Sequence, residues 1–236
     1  MIDFSRYVWS FYRWGLDLLF PPSCVSCKRV GTWLCEPCAQ QIPLFEGPFC
    51  PRCGRPWSKP GLCPVCSETP LRVNPIRSVF IFGSPIREAL HALKYRGGKS
   101  VITTLAARMG AAWQRQGMES DLLLPVPLHP SRESKRGYNQ ATLLAVALGK
   151  QIDVPVGSRV LKRVRNTPSQ TKLNRRERKE NVADAFACAA GLNLAGMRVT
   201  LIDDVATTGA TLDACAGVLL QAGAEAVNAF TLARAP

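Results

Sequence analysis

The chain has 236 residues, 47% hydrophobic and 20% charged, which makes it globular rather than disordered and long enough for one good-sized domain plus a small module. Its 30 Lys and Arg against 17 Asp and Glu leave a net charge of +13, so the expected partner is anionic: a phosphorylated ligand, nucleic acid or an anionic membrane surface. Eight of the 10 cysteines fall in four C-x-x-C pairs, which reads as metal binding and not as a disulfide framework.

Residues 5–20 read as an amphipathic, aromatic-rich helix, with Tyr7, Phe11, Trp14 and Leu18 at helical spacing. Packing on the chain's own metal module is the simpler role for it, and docking to a membrane surface or partner is the alternative. Its apolar runs fall far short of the ~20 residues a membrane span needs, and no signal peptide is read there. The expectation is a cytoplasmic protein in a reducing compartment, where thiolates stay available to zinc. Pro21 and Pro22 end the helix.

The four pairs are Cys24 with Cys27, Cys35 with Cys38, Cys50 with Cys53, and Cys63 with Cys66. A tetrahedral Zn²⁺ takes four soft ligands, and each C-x-x-C turn supplies two, so the eight cysteines make two sites. Pairing in sequence order gives Cys24, Cys27, Cys35 and Cys38 for one and Cys50, Cys53, Cys63 and Cys66 for the other; a crosswise pairing satisfies the same spacing. Four thiolates leave no open position, so both zincs are structural. The intervening residues are poor in aliphatics and rich in Pro and Gly, and hold no core without metal.

After Pro70 a Pro/Arg stretch links to a second domain, which sets the expected division at 1–70 and 71–236. Residues 76–82 read as a strand and 86–95 as a helix, with His91 on an ordinary face. The cationic turn of Lys94, Arg96, Gly97, Gly98 and Lys99 follows, then a helix over 100–116. A buried-type strand over 121–126 runs into Pro125, Pro127 and Pro130, then into a loop carrying Arg132, Lys135 and Arg136, and a helix starts near Tyr138. Strand, cationic loop and helix N-terminus together read as an anion site.

Strands are expected at 159–164 and 186–189, separated by the polar segment 165–181, which reads as a mobile segment or lid. Cys188 and Cys215 stand alone in apolar segments and read as inert core. Residues 199–202 form a short apolar run suited to a strand buried on both faces. Asp203 and Asp204 follow it, then a small-residue loop of Ala206, Thr207, Thr208, Gly209, Ala210 and Thr211 opens a helix. Backbone N–H groups at such a helix start suit a phosphate, and the carboxylates suit ribose hydroxyls or hydrated Mg²⁺. Neighbouring strand residues point to opposite faces, so both acids reach one sugar only if the chain leaves ideal extended geometry between them. A final strand over 226–233 closes the sheet.

The segment 199–212, VTLIDDVATTGATL, resembles the phosphoribosyl-pyrophosphate (PRPP) motif of type I phosphoribosyltransferases. P-V-P-L-H-P-x-R at 125–132, R-G-Y-N-Q-A at 136–141 and T-x-x-Q-x-x-L-x-x-x-x-R at 167–178 resemble the ComF family, associated with natural competence and DNA uptake. The resemblance implies a type I phosphoribosyltransferase-like α/β domain, an open and mostly parallel sheet with flanking helices, behind a small zinc-ribbon module. It implies PRPP as ligand with Mg²⁺, the 5′-phosphate on Thr207, Thr208, Gly209, Ala210 and Thr211 beside Ala206, and the ribose hydroxyls on Asp203 and Asp204. Arg132, Lys135 and Arg136 would face the pyrophosphate. It further implies glycosyl transfer to an unidentified acceptor, action in DNA uptake or utilisation, and competence proteins as partners. The alternative is a non-catalytic module for single-stranded DNA, with the PRPP pocket retained as a regulatory or structural feature.

Overall fold

A computed structural model of the chain describes residues 21–167, 175–189 and 191–236. The helix expected over 5–20 and the centre of the expected lid lie outside the described residues. The module that comes first carries two short helices, α1 (Glu36–Gln41) and α2 (Pro64–Glu68). It leads into a sheet of four parallel strands in the order β1 (Ile76–Ile81), β6 (Ala226–Arg234), β5 (Arg198–Ala206) and β2 (Leu122–Pro125). Strands β3 (Leu161–Arg163) and β4 (Phe186–Cys188) pair antiparallel with each other, apart from that sheet.

Strand β6 lies between β1 and β5, so the last strand is interior and does not close the sheet at an edge. Its sequence carries the reason. Phe230 and Leu232 enter the cluster on one face and Val227 and Ala229 the cluster on the other, so only a position covered on both sides buries all four. One face is covered by α3 (Ile86–Tyr95), α4 (Val101–Arg115) and α6 (Gln140–Ile152). Leu90, Leu93, Leu105, Met109, Leu144 and Leu148 pack there against Leu123, Ile202 and Phe230. The other face is covered by α8 (Ala210–Gln221) together with Val182, Ala185 and Phe186. Each fully buried leucine or phenylalanine contributes roughly 1.5–3 kcal/mol.

The first ribbon shares this core. Cys24, Leu34, Cys35 and Ala39 belong to the same buried cluster as Val79, Leu90 and Leu105. The Phe45 N–H donates to the Val79 carbonyl at 2.7 Å, so the same module covers the free edge of β1.

The segment read as a cationic loop after β2 is a short helix, α5 (Pro130–Arg136). Pro130 opens it, the His129 side chain accepts from the Ser131 N–H, and Gly137 ends it in the left-handed conformation. Pro at the start and Gly just past the end are ordinary helix limits, overlooked here because the element is only two turns long. In the segment read as a lid, residues 175–182 form helix α7 (Arg175–Val182). No helix among the described residues is long and apolar enough to cross a membrane.

Candidate functional site

The eight paired thiols gather as two groups in sequence order, Cys24, Cys27, Cys35 and Cys38, and Cys50, Cys53, Cys63 and Cys66, with the ligand atoms of each group within 4.8 Å of one another. Sulfur separations of 3.6 Å for Cys27 to Cys35 and 3.8 Å for Cys53 to Cys63 match the edge of about 3.8 Å expected for a tetrahedron with Zn–S near 2.3 Å. The groups are built alike. The Cys35 N–H donates to Cys24 Sγ at 3.5 Å and the Cys63 N–H to Cys50 Sγ at 3.4 Å. Burial raises the Cys24 and Cys50 thiols, but backbone N–H groups, led by those of Cys35 and Cys63, outweigh it and bring each down to about 6. Donor type and spacing therefore fit two structural zincs.

The second feature stands at the carboxyl ends of β5 and β2. Strand β5 runs on through both acids to Ala206, past the short apolar run that marked it in the sequence. Its pairing with β6 includes Asp203, Val205 and Ala206 but passes over Asp204, whose N–H donates to Asp203 Oδ1 at 2.8 Å. Ile202 and Val205, three residues apart, pack against the same cluster, so strict alternation fails across the acid pair. The departure from ideal extended geometry thus occurs inside the strand.

The acids have different surroundings. Asp204 is only 8% exposed and forms an ion pair with Lys94 at the end of α3. Burial lowers the pKa of Lys94, but the Asp204 carboxylate outweighs it and holds the ammonium above its usual value. Asp203 is pushed up to about 8, by desolvation first and by the Asp204 charge second. The strand continues past both acids and α3 covers it there, so Asp204 is buried.

Beyond β5, Gly209 is held at φ +83° as the residue before α8, and a Cβ there would stand 2.9 Å from Leu71 Cδ1. Conformation and space both require glycine. Thr208 Oγ1 accepts from the Ala210 N–H at 3.3 Å. Helix α8 opens at Ala210, so its N-terminal end is directed to the same place. Ala206 and Thr207 turn their carbonyls inward, where both accept from Arg234 Nη1.

The cations reach this end from three elements. On α5, Arg132 donates to the Thr167 carbonyl, Lys135 is exposed, and the Arg136 guanidinium lies 5.4 Å from the Tyr95 ring centroid. From α7, Arg178 donates to Thr207 Oγ1 at 2.7 Å. From α3 comes Lys94, and next to it Arg96 stacks on Trp33 of the first ribbon at 5.4 Å. Asn139 holds α5 and α6 to the strand end: its side chain accepts from the Ala141 N–H at 3.0 Å and donates to the Val126 carbonyl at 2.9 Å.

Sequence reading found the loop, the acids and the cations Arg132, Lys135 and Arg136, though not the helix that carries them, and missed three residues. Lys94 was seen only as one cation of a turn. Arg178, the last position of the 167–178 pattern, carried a signal that went unused. Arg234 carried none, because an arginine at the end of an apolar strand is read as a snorkelling surface residue.

The double zinc ribbon domain family matches residues 15–67, and the phosphoribosyl transferase domain family matches residues 138–236. Competence protein F of Haemophilus influenzae is 30% identical over 90% of this chain and 96% of its own. Competence protein ComFC of Bacillus subtilis is 32% identical over 85% of this chain and 84% of its own. The DNA utilization protein YhgH of Salmonella typhimurium is 31% identical over 92% of this chain and 99% of its own.

Proposed function

We propose that this chain, which belongs to the ComF family of competence and DNA-utilisation proteins, binds PRPP with Mg²⁺ through its phosphoribosyltransferase domain and acts in DNA uptake or utilisation. The observation that carries the reading is the loop Ala206, Thr207, Thr208, Gly209, Ala210 and Thr211, which leaves an acid-bearing strand and opens a helix with Gly209 left-handed. The N–H groups of that loop take the 5′-phosphate. Asp203 and Asp204 take the ribose hydroxyls, which requires Asp204 to exchange its ion pair with Lys94 for the sugar. Lys135 and Arg136 face the pyrophosphate, and Arg132 joins them on leaving the Thr167 carbonyl. Such cations stabilise pyrophosphate as a leaving group while positive charge grows on the sugar carbon, which makes transfer to an acceptor the favoured chemistry. Calorimetric titration with PRPP and Mg²⁺, followed by an assay of released pyrophosphate, tests binding and turnover separately. Absence of binding removes the reading, and binding without turnover leaves a PRPP sensor.

A second reading, a single-stranded nucleic-acid module, is favoured by one observation. Tyr95 is 66% exposed beneath Arg136, and Trp33 with Arg96 and Tyr138 with Lys99 form like pairs nearby. Aromatic faces among cations suit stacked bases and their phosphates. Pyrophosphate release separates this reading from the first.

A further inference from the structure

Arg234, the last residue of β6, is 0% exposed and heads the large fully buried side chains among the described residues. Its Nη1 donates to the Ala206 carbonyl at 2.8 Å and to the Thr207 carbonyl. In a planar trans peptide the N–H points opposite to the carbonyl. Holding those two carbonyls inward therefore turns the N–H groups of Thr207 and Thr208 outward. The Nε and Nη2 atoms of Arg234 are buried and donate no hydrogen bond to an oxygen or nitrogen acceptor among the described residues. Burial lowers the Arg234 pKa, and Cys53 of the second ribbon, through its charge and a side-chain hydrogen bond, and more weakly Cys66, work against it. Four thiolates around Zn²⁺ would leave about two negative charges, one of which a buried guanidinium would offset.

An apolar contact joins the same two places. Leu71 packs against the second cysteine cluster and also stands where a Cβ on Gly209 would meet it, at 2.9 Å. The ribbon is fixed to the sheet next to it: the Ile76 N–H donates to the Arg52 carbonyl at 2.8 Å, and Arg77 Nη1 donates to the Pro51 carbonyl at 3.0 Å.

We infer that Arg234 is a positioning residue through which the second, zinc-holding ribbon sets the orientation of the phosphate-binding loop. The inference rests on the proposed PRPP reading for its ligand, though not for the contact itself. The second ribbon is then part of the support of the ligand site. Coupling of this kind runs both ways: ligand on the loop tightens zinc in the second site.

The test uses the full zinc-loaded chain and the Arg234→Lys variant, with zinc content, amide hydrogen exchange and PRPP titration measured on both. Arg234→Lys is expected to keep two zincs, to exchange the Thr207 and Thr208 amides at least about fivefold faster, and to bind PRPP at least about fivefold more weakly. Exchange in α6 should stay unchanged, which separates a local effect from general weakening. A zinc-loaded variant with unaltered exchange at 207–211 overturns the inference. If that variant loses zinc or does not fold, Arg234→Gln is measured in its place, and unaltered exchange at Thr207 and Thr208 overturns the inference equally. Wild-type protein that ignores PRPP defeats the ligand reading alone, because the exchange comparison still decides whether the contact acts.

Discussion

Lys94 and Asp204, 110 positions apart in the chain, form an ion pair at the mouth of the candidate site, with side-chain exposures of 26% and 11%. One of the two acids of the motif therefore has its charge matched before any ligand arrives. The sugar must replace an ammonium, and the released Lys94 stands close enough to Arg136 to feel its charge.

Asp204→Asn is accordingly expected to cost more than a solvent-facing acid would. It leaves a mostly buried ammonium unpaired, for about 1–3 kcal/mol of stability. Lys94→Met in the same background should recover most of that loss without restoring PRPP affinity. Urea unfolding of the single and double variants measures the coupling, and additive effects would mean that the pair contributes nothing.

The Asp203 carboxyl titrates at about 8 in the folded chain against an ordinary 3.8. Between those values the folded state holds a proton that the unfolded state has released, so stability falls as pH rises from about 4 to about 8 and levels off above. Asp203→Asn removes that slope. The melting temperature of the variant is expected to gain on the parent steadily from pH 5 to pH 8. A constant difference across that range would place the proton elsewhere.

Gly209→Ala forces a side chain onto φ +83° with Leu71 2.9 Å and Ile76 3.2 Å away. The expected cost is about 1–2 kcal/mol of stability, with loss of PRPP binding as the loop shifts. Denaturant unfolding and the same titration check it, and a neutral substitution would show that the loop does not depend on this conformation.

Zinc analysis should return two ions per chain. Because Cys24, Leu34 and Cys35 share a cluster with Leu90 and Leu105, chelation is expected to lower the melting temperature of the whole α/β fold, followed by far-UV circular dichroism. Protein purified without chelator that carries no zinc would refute the assignment.

Single-stranded oligonucleotides should bind with little sequence preference, and affinity should fall by ~0.7 log units per contacted phosphate per decade of salt. Tyr95→Ala is expected to lose about 1–3 kcal/mol, the worth of one stacked base. PRPP should compete if both ligands use Arg136. Salt-independent affinity, or none at low ionic strength, would leave the basic surface to other partners.

Much was legible in the sequence because it is written locally. The cysteine spacings fix two four-thiol sites, since each knuckle is one tight turn. Asp203, Asp204 and the Thr/Gly loop are neighbours in the chain, so strand, acids, loop and helix are ordered however the rest folds. Residues 86–95 announce their helix by the apolar spacing of Ile86, Leu90 and Leu93. The remainder depends on topology. Insertion of β6 between β1 and β5 brings Arg234 beside Ala206, and the seating of α3 over β5 brings Lys94 to Asp204. Sequence-ordered pairing of the cysteines, which the spacing left open, was also decided only in the folded chain. A contact between distant residues has no local period or spacing to betray it; only the packing that buries both partners creates it.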